Sequence, residues 1–214
     1  MIITKFGHCC LLVETDGARI LIDPGNYSTS QNEAENIDLI LITHEHEDHC
    51  DTSSLGAIIA KNPDVRIITN SGVGKVLDEK NIPHSILEDG GYENFRGVLI
   101  EAFGKKHAEI YRKEVPLPIN TGYFIAQKFF YPGDAFFAPG KPIEVLALPV
   151  CGPWMKIADA LDYLKVVHPQ KAFPVHDGML LPERYRSFHK RPEWMMEKLG
   201  GKFIVPKQGE PMEF

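Results

Sequence analysis

The sequence predicts a mixed α/β fold for a single domain that spans residues 1–214. Short apolar runs bounded by Gly, Pro or Asp recur along the whole chain and are typical of strands. Longer segments that begin with capping residues and are typical of helices stand between several of them. The 214 residues, of which 43% are hydrophobic, suffice for one sizeable core. Periodicity alone gives only this mixed α/β class.

The first part of the chain is predicted to be rich in hairpins. Residues 1–6 form an apolar opening strand, and two further strands are predicted at 10–14 and 18–22. Asp16-Gly17 between the latter two is a preferred tight-turn pair, so these strands should form a hairpin. The run at 39–42 is apolar throughout, which indicates a strand buried on both faces.

Helices and strands are predicted to alternate over the rest of the chain. Asp51 to Ser54 can cap a helix that runs to about residue 60, and Ser71 can cap another that runs to residue 80. A third helix is predicted at 156–167, and a short one at 193–199 precedes a terminal strand. The remaining strands are predicted at 65–69, 98–103, 122–126, 128–131, 144–148 and 171–175.

A dense group of possible metal ligands follows the apolar run at 39–42. His44, His46, Asp48 and His49 form the pattern His-x-His-x-Asp-His. His44 and His46 can converge on one metal ion, and Asp48 and His49 can hold a second, because imidazole and carboxylate bind transition metals. The alternative is a solvated polar loop. A solvated loop, however, has no reason to place four such groups directly after a buried strand.

Three further candidates lie downstream. His107 comes at the end of 103–107, Asp134 at the end of 129–134, and His176 within 172–178. Asp134 and His176 each follow an apolar, strand-like run.

Taken together, these residues resemble the metallo-β-lactamase superfamily, in which the same motif is followed by a histidine, an aspartate and a last histidine. The resemblance extends from about residue 2 to about residue 180. It implies the metallo-β-lactamase fold, a four-layer αββα sandwich with two facing sheets and helices outside. It also implies seven metal ligands: His44, His46 and His107 at a first ion, Asp48, His49 and His176 at a second, and Asp134 bridging the two.

The resemblance implies a hydrolase with two divalent ions, Zn first, with Mn or Fe as alternatives. Two such ions about 3.5–4 Å apart can share a water whose pKa falls towards about 7, and the resulting hydroxide is the nucleophile. Asp48 is the catalytic candidate, because it can orient that hydroxide and shuttle its proton. The four cysteines, of which none belongs to a Cys-x-x-Cys pair, are predicted to be free thiols without a covalent role: Cys9, Cys10, Cys50 and Cys151.

The substrate predicted is a small ester, lactone or phosphodiester, so lactonase, phosphodiesterase and thioesterase types all stay open. The segments 120–123, 131–134 and 174–176 resemble the lactonase-like branch of small hydrolases, which includes L-ascorbate-6-phosphate lactonase. A different class of function is the alternative: a non-catalytic metal-binding or sensing protein that keeps the fold. The complete ligand set favours the enzyme.

Two residues are candidates for supporting roles. Asp23, before Pro24, either accepts the second N–H of a ligating histidine or is a turn aspartate. His8, in a Gly-His pair that resembles the start of lactonase-like and phospholipase-like members, either lines the pocket or is structural. Trp154 is predicted either at the pocket rim or in the core.

Charge and hydropathy limit the partners. The net charge of −6 predicts no strongly basic face, so nucleic acid is not an expected partner. No apolar run approaches the length of a membrane span and the first residues do not resemble a signal peptide, so a cytoplasmic protein without membrane contact is expected. The sequence does not indicate an oligomeric state.

A local group of basic residues is predicted either to bind a phosphate or carboxylate, or to be a solvated loop: Lys105, Lys106, Arg112 and Lys113.

Overall fold

The computed structural model describes residues 1–112 and 114–214, and it contains two seven-stranded sheets. The first half of the chain forms most of the first sheet. Its strands are β1 (Ile2–Lys5), β2 (Leu11–Thr15), β3 (Ala18–Ile22), β4 (Leu39–Leu41), β5 (Arg66–Thr69), β6 (Ser85–Ile86) and β14 (Pro211–Glu213). They lie in the order β14-β1-β2-β3-β4-β5-β6, so the last strand of the chain returns to pair with the first.

The second sheet is formed by residues between 92 and 203. Its strands are β7 (Tyr92–Phe95), β8 (Val98–Phe103), β9 (Gly122–Ile125), β10 (Phe129–Tyr131), β11 (Val145–Pro149), β12 (Lys171–Val175) and β13 (Lys202–Phe203). They lie in the order β13-β12-β11-β10-β9-β8-β7. Both sheets are mixed, with antiparallel pairs towards one side and parallel pairs towards the other.

Within the described residues, four α-helices accompany the sheets: α1 (Thr52–Lys61), α2 (Ser71–Glu79), α3 (Ile157–Val167) and α4 (Tyr185–Lys198). Short 3-10 helices occur at Ser30–Glu33 and Pro182–Arg184. The carboxylate of Asp51 caps α1 as predicted, because it accepts the backbone N–H of Ser54 at 2.8 Å. The cap of α2 is Asn70 rather than the predicted Ser71, and its side chain accepts the N–H groups of Gly72 and Val73.

Three separate apolar clusters define four layers. One cluster lies between the two sheets, a second between the first sheet and helices α1 and α2, and a third between the second sheet and helices α3 and α4. Strand β2 shows how the sequence builds this. Leu11 and Val13 face the other sheet, whereas Leu12 faces the helices, because successive side chains of a strand point to opposite faces. The predicted αββα sandwich is therefore confirmed.

The prediction missed some elements. Strands β6, β7 and β13 were not expected: β6 and β13 have two residues each and show no period, and only one residue of β7 is buried. The last helix begins at Tyr185, not near residue 193. Pro192 lies inside this helix. Proline is tolerated in the first turn of a helix but not usually in its interior, so the sequence around Pro192 indicates a helix that starts there. The buried residues His189, Pro192, Met195 and Met196 form one stripe along α4.

Strand direction explains where the predicted site residues meet. β1, β3 and β4 run the same way in the first sheet, and β8, β10 and β12 run the same way in the second. The loops that leave their carboxyl ends carry, in order, His8, Asp23, the His44–His49 segment, His107, Asp134 and His176. Ligand sites of α/β sheets form outside the carboxyl ends of strands, and loops there carry function.

Candidate metal centre

The loop after β4 is held by neighbouring loops on both sides. The N–H of Thr43 donates to Asp23 Oδ1 at 2.8 Å, and the Thr43 carbonyl accepts from Asn70 Nδ2 at 2.7 Å. Further along, the N–H groups of His49 and Cys50 both donate to the His46 carbonyl, at 2.9 and 2.8 Å. These bonds close a tight turn in the loop that carries His44, His46 and His49.

One group of side chains at this edge consists of His44, His46, His107 and Asp134. One nitrogen or oxygen of each lies within 4.8 Å of the others. Asp134 Oδ2 is 3.4 Å from His107 Nε2 and 3.9 Å from His44 Nε2. The other nitrogen of His107, Nδ1, is 2.6 Å from the Ala108 carbonyl, so Nε2 is left facing the carboxylate.

A second group lies on the other side of Asp134. His49 Nε2 is 3.1 Å from Asp134 Oδ1, and His176 Nε2 is 2.9 Å from Asp134 Oδ2. Asp48 Oδ2 is 3.5 Å from His176 Nε2 and 3.8 Å from His49 Nε2. The seven side chains predicted as ligands are thus brought together, with the Asp134 carboxylate between the two groups.

Several of these atoms are buried without a hydrogen bond. Among the described residues, no hydrogen-bond partner exists for Nε2 of His49, His107 and His176, for Nδ1 of His176, or for Oδ1 of Asp134. The short distances between them therefore do not represent hydrogen bonds. A buried polar atom without a partner costs about 1–3 kcal/mol, and several around one point need a common partner. Imidazole nitrogens and a carboxylate are a donor set that fits divalent transition metals.

The buried carboxylate of Asp23 holds His49 and Thr43 in position. Its Oδ2 is 2.7 Å from His49 Nδ1 and also accepts the Thr43 hydroxyl at 2.7 Å. The carboxylate thus directs His49 Nε2 towards Asp134, as second partners of metal-binding histidines do. Asp23 and His176 both have a positive φ, 47° and 60°, which is uncommon outside glycine. Strained backbone of this kind clusters at functional sites.

His8 is bound to Asp48, and its tautomer follows from its contacts. The N–H of Gly178 donates to His8 Nδ1 at 2.9 Å, so the neutral ring carries its proton on Nε2. That nitrogen lies 3.2 Å from Asp48 Oδ2 and donates to it. The side chain of His8 is buried, whereas the Asp48 side chain is 18% exposed. His8 therefore orients a ligand candidate that faces both the group and the solvent.

Trp154 and Asn120, neither of which was predicted to contact Asp134, orient this residue. Trp154 Nε1 donates to Asp134 Oδ2 at 2.9 Å, and the Asp134 N–H donates to Asn120 Oδ1 at 2.9 Å. Asn120 Nδ2 also donates to the Pro132 carbonyl at 2.8 Å, which ties the loop before Asp134 to β9. Trp154 is thus both buried and part of the site, two positions that the sequence presented as alternatives. No local pattern around either residue indicates these contacts.

Comparison with known proteins agrees with this geometry. A family model described as "Beta-lactamase superfamily domain" matches residues 2–176. The chain belongs to the metallo-β-lactamase superfamily. Protein Rv0786c of Mycobacterium tuberculosis is 34% identical over 196 residues, which cover 89% of this chain and 91% of the relative. The UPF0173 metal-dependent hydrolase MJ1163 of Methanocaldococcus jannaschii is 25% identical and covers 99% of each chain.

A solved structure is also similar over the whole chain. Igni18, described as a novel metallo hydrolase from Ignicoccus hospitalis, has a TM-score of 0.76 and 25% identity, and the match covers 100% of this chain and 98% of that one. Within the residues that the structure describes, no helix is both long and apolar enough to cross a membrane.

Electrostatics keep both carboxylates of this superfamily site ionised, and although burial opposes this, Asp134 in turn raises the pKa of His49 and His176. Burial opposes ionisation of Asp134, but His49 and His176 outweigh it and hold the pKa of Asp134 well below its usual range. Burial likewise opposes ionisation of Asp48, yet contacts with His176 and His8 hold its pKa far below the usual value. Burial lowers the pKa of His44, which keeps it in the neutral form that binds metals. Two ionised carboxylates thus sit among imidazoles.

The basic group near His107 faces solvent. Lys105 is 76% exposed and lies 3.5 Å from Asp89, and Arg112 packs over the ring of Tyr111. Lys113 lies outside the described residues. The described members of the group therefore fit the solvated-loop interpretation better than an anion site.

Proposed function

We propose that this protein is a hydrolase that uses two divalent cations, Zn first and Mn or Fe as alternatives, to cleave a small ester, lactone or phosphodiester. The observation that carries the proposal is the set of buried, unpartnered nitrogen and oxygen atoms around Asp134. The relatives described as metal-dependent or metallo hydrolases support it.

The two groups on either side of Asp134 define two cation positions. His44, His46 and His107 would hold one, and Asp48, His49 and His176 would hold the other, with Asp134 shared. When bound, such cations lower the pKa of a shared water and polarise the oxygen of an ester or phosphoryl group. The chain itself supplies the orientation of these ligands, through Asp23, Asn120 and Trp154.

Asp48 is the residue we assign to proton handling. Its carboxylate is ionised and partly exposed, and the Nε2–H of His8 fixes the position of Oδ2. Oδ2 can therefore accept a hydrogen bond from an attacking water and take its proton. Because the pKa of Asp48 is far below neutrality, its main contribution is orientation, and it can pass the proton on to the leaving group.

The size of the nearby cavity favours a small substrate. A cavity of about 160 Å³ adjoins His8, the residue that contacts Asp48. Its walls are polar and aromatic and include Lys5, His8, Tyr27, Asp177, Tyr185 and His189. None of the seven ligand candidates lines this cavity, but it offers room beside the candidate centre for part of a small molecule. We therefore keep a small-molecule substrate, with no nucleic acid or membrane, as part of the proposal.

The test combines metal analysis with a substrate panel. The protein is stripped with a chelator, reloaded separately with Zn²⁺, Mn²⁺ and Fe²⁺, and assayed on a lactone, a thioester and an activated phosphodiester. We expect hydrolysis of at least one class, loss of activity with chelator and its return with cation. Bound cations with no hydrolysis of any class would favour the non-catalytic alternative. A protein that binds no cation would contradict the proposal altogether.

A further inference from the structure

Two adjacent cysteines in the loop between β1 and β2 point in opposite directions. Cys9 belongs to the apolar cluster between the two sheets, together with Leu11 and Val13. Cys10 belongs to the cluster beneath helices α1 and α2, together with Leu12. The alternation of a strand thus continues back into the loop and places one thiol, and not its neighbour, on the side where the candidate metal centre lies.

The Cys9 thiol faces the second cation position. Its sulfur and one ring nitrogen each of His8, His49 and His176 all lie within 4.8 Å of one another. Both nitrogens of His8 are engaged, by the Gly178 N–H and by Asp48. The atoms of this group without a hydrogen bond are therefore His49 Nε2 and the nitrogens of His176.

Burial separates Cys9 from an ordinary surface thiol. Cys9 is 1% exposed, and His49 and His176 are equally enclosed. A buried cysteine that acts only as a small hydrophobe has apolar neighbours, and Cys10 has such neighbours in Leu12, Leu21 and Ile40. Cys9 also belongs to an apolar cluster, but in addition it lies beside nitrogens of His49 and His176 that no group within the described residues satisfies. The contrast between adjacent cysteines shows that the environment of Cys9 is specific.

We propose that Cys9 Sγ is a ligand of the second cation, alongside His49 and His176. The inference deepens the proposed function and rests on it, because it presumes that this position holds a cation. On binding, a bond forms between the sulfur and the cation, and the thiol proton passes to solvent. No oxidant or reductant takes part.

A thiolate ligand has a consequence for metal choice. Sulfur ligands select softer cations such as Zn²⁺ and disfavour Mn²⁺ and Mg²⁺, which prefer carboxylate and water. The second position, with Cys9, should therefore prefer Zn²⁺ over Mn²⁺ more strongly than the first position, where the ligands are His44, His46, His107 and Asp134. Cys9→Ser should lower the affinity of the second position for Zn²⁺ by at least about tenfold. Removal of groups that only support metal ligands already lowers metal affinity by about 10–100-fold.

The experiment uses Co²⁺ in place of Zn²⁺, because a bond between Co²⁺ and a thiolate gives a charge-transfer absorption in the near ultraviolet that nitrogen and oxygen ligands lack. The full chain is stripped, titrated with Co²⁺ and followed by absorption, with metal content measured in parallel. We expect the band in the parent and its absence in Cys9→Ser. Cys10→Ser and Cys50→Ser are matched controls and should keep the band, because both side chains pack beneath helix α1 and α2.

A second measurement does not depend on any variant folding. X-ray absorption of the Zn-loaded parent should show a sulfur neighbour at about 2.3 Å. A parent that binds two cations but shows neither the band nor the sulfur neighbour overturns the role of Cys9 and leaves the proposed function intact. A band that survives in folded Cys9→Ser also overturns it. A parent that binds no cation contradicts both.

Discussion

Asp134 has four imidazole nitrogens within 4 Å of its carboxylate, from His44, His49, His107 and His176. This residue lies where the two groups of ligand candidates meet, so its charge should act on both cations. We predict that Asp134→Asn keeps the fold but loses at least one cation on dialysis, because a neutral amide bridges cations poorly. Metal content per chain, with circular dichroism to monitor the fold, measures the effect.

The matched control for this change is Asp162→Asn on the exposed side of α3, where Asp162 pairs with Lys165. That variant should retain metal like the parent. If Asp134→Asn also binds both cations as tightly as the parent, Asp134 does not bridge them.

Asp48 differs from Asp134 because it is partly exposed and is oriented by His8. We predict that Asp48→Asn lowers kcat by about 10²–10⁴-fold, the usual contribution of a positioned proton acceptor. The physical reason is that an amide orients the attacking water less well than a carboxylate and cannot take its proton. Steady-state kinetics on the substrate class identified by the panel would measure the loss.

The neighbouring Glu47 offers a control for Asp48, since its side chain is exposed and, among the described residues, accepts a single hydrogen bond, from Asn26 Nδ2 at 3.3 Å. Glu47→Gln should leave kcat nearly unchanged. An Asp48→Asn enzyme with kcat within tenfold of the parent would show that another group handles the proton.

Most residues of the candidate site could be predicted from residue types and their spacing in the sequence, but not all of them. The seven ligand candidates could be named because imidazole and carboxylate at fixed spacing after strands form a recognisable pattern. Cys9 and Asn120 could not be linked to it, and Trp154 could be placed only at the pocket rim or in the core, because the contacts of these residues with the site depend on how separate loops pack. The two faces of a strand distinguish Cys9 from Cys10, and that distinction needs the register of β2.

At the scale of elements, the loop after β3 packs directly against the motif loop. A Cβ on Gly25 would lie 1.9 Å from the Asp48 carbonyl oxygen and 2.5 Å from the His49 nitrogen. Both are backbone atoms and cannot move aside as a side chain could. We predict that Gly25→Ala destabilises the protein by about 1–3 kcal/mol, as overpacking does, and weakens cation binding at the second position.

Urea unfolding and metal titration measure these two effects. Gly56→Ala is the matched control, because Gly56 lies in α1 with no atom within 4 Å of an added Cβ. That change should stabilise the protein by up to about 1 kcal/mol. A Gly25→Ala protein with parental stability and metal affinity would mean that the two loops are not in close contact in solution.

The elements that the sequence did not predict are those without a strong local signal. Strand β13 has only two residues, too few to show a period in the sequence. It pairs with β12 because the chain that leaves α4 passes beside that strand. Helix α4 was predicted too short because Pro192 and the basic run before it resemble a loop and a helix start. Tertiary packing of its buried stripe against the second sheet outweighs these local preferences.

On the scale of the whole molecule, Lys5 joins the two sheets. Its ammonium group is bound to Asp177 and donates to the Pro174 carbonyl at 3.0 Å, so β1 of the first sheet is tied to β12 of the second. Asp177 also accepts from His189 of α4 at 3.0 Å. We predict that Lys5→Met destabilises the protein by about 3–5 kcal/mol, because it leaves a buried carboxylate without its cation.

The measurement is equilibrium unfolding in urea, with Lys207→Met as a control. Lys207 is 78% exposed and pairs with Glu210 at 3.3 Å, and such surface pairs contribute about 0–1 kcal/mol. Equal effects of the two substitutions would show that the Lys5 pair does not stabilise the fold.

The layering of the molecule could be predicted only in part from its own pattern. Alternation and apolar runs gave strands and helices, but two facing sheets and a four-layer order came from the resemblance to a known superfamily. The reason is that local periodicity specifies which face of an element is buried without specifying what covers it. Here, clusters on both faces of each sheet decide the layering.

The ligand candidates come from both halves of the sandwich: those from His44 to His49 follow a strand of the first sheet, and His107, Asp134 and His176 follow strands of the second. A cation that is bound by ligands from both sheets binds only to the folded protein, because the unfolded chain has no equivalent site. Thermodynamic linkage then makes resistance to denaturation a function of the free cation concentration, with a gain of about 2.7 kcal/mol at a hundred times Kd. Chelation would accordingly loosen the whole protein as well as remove its activity.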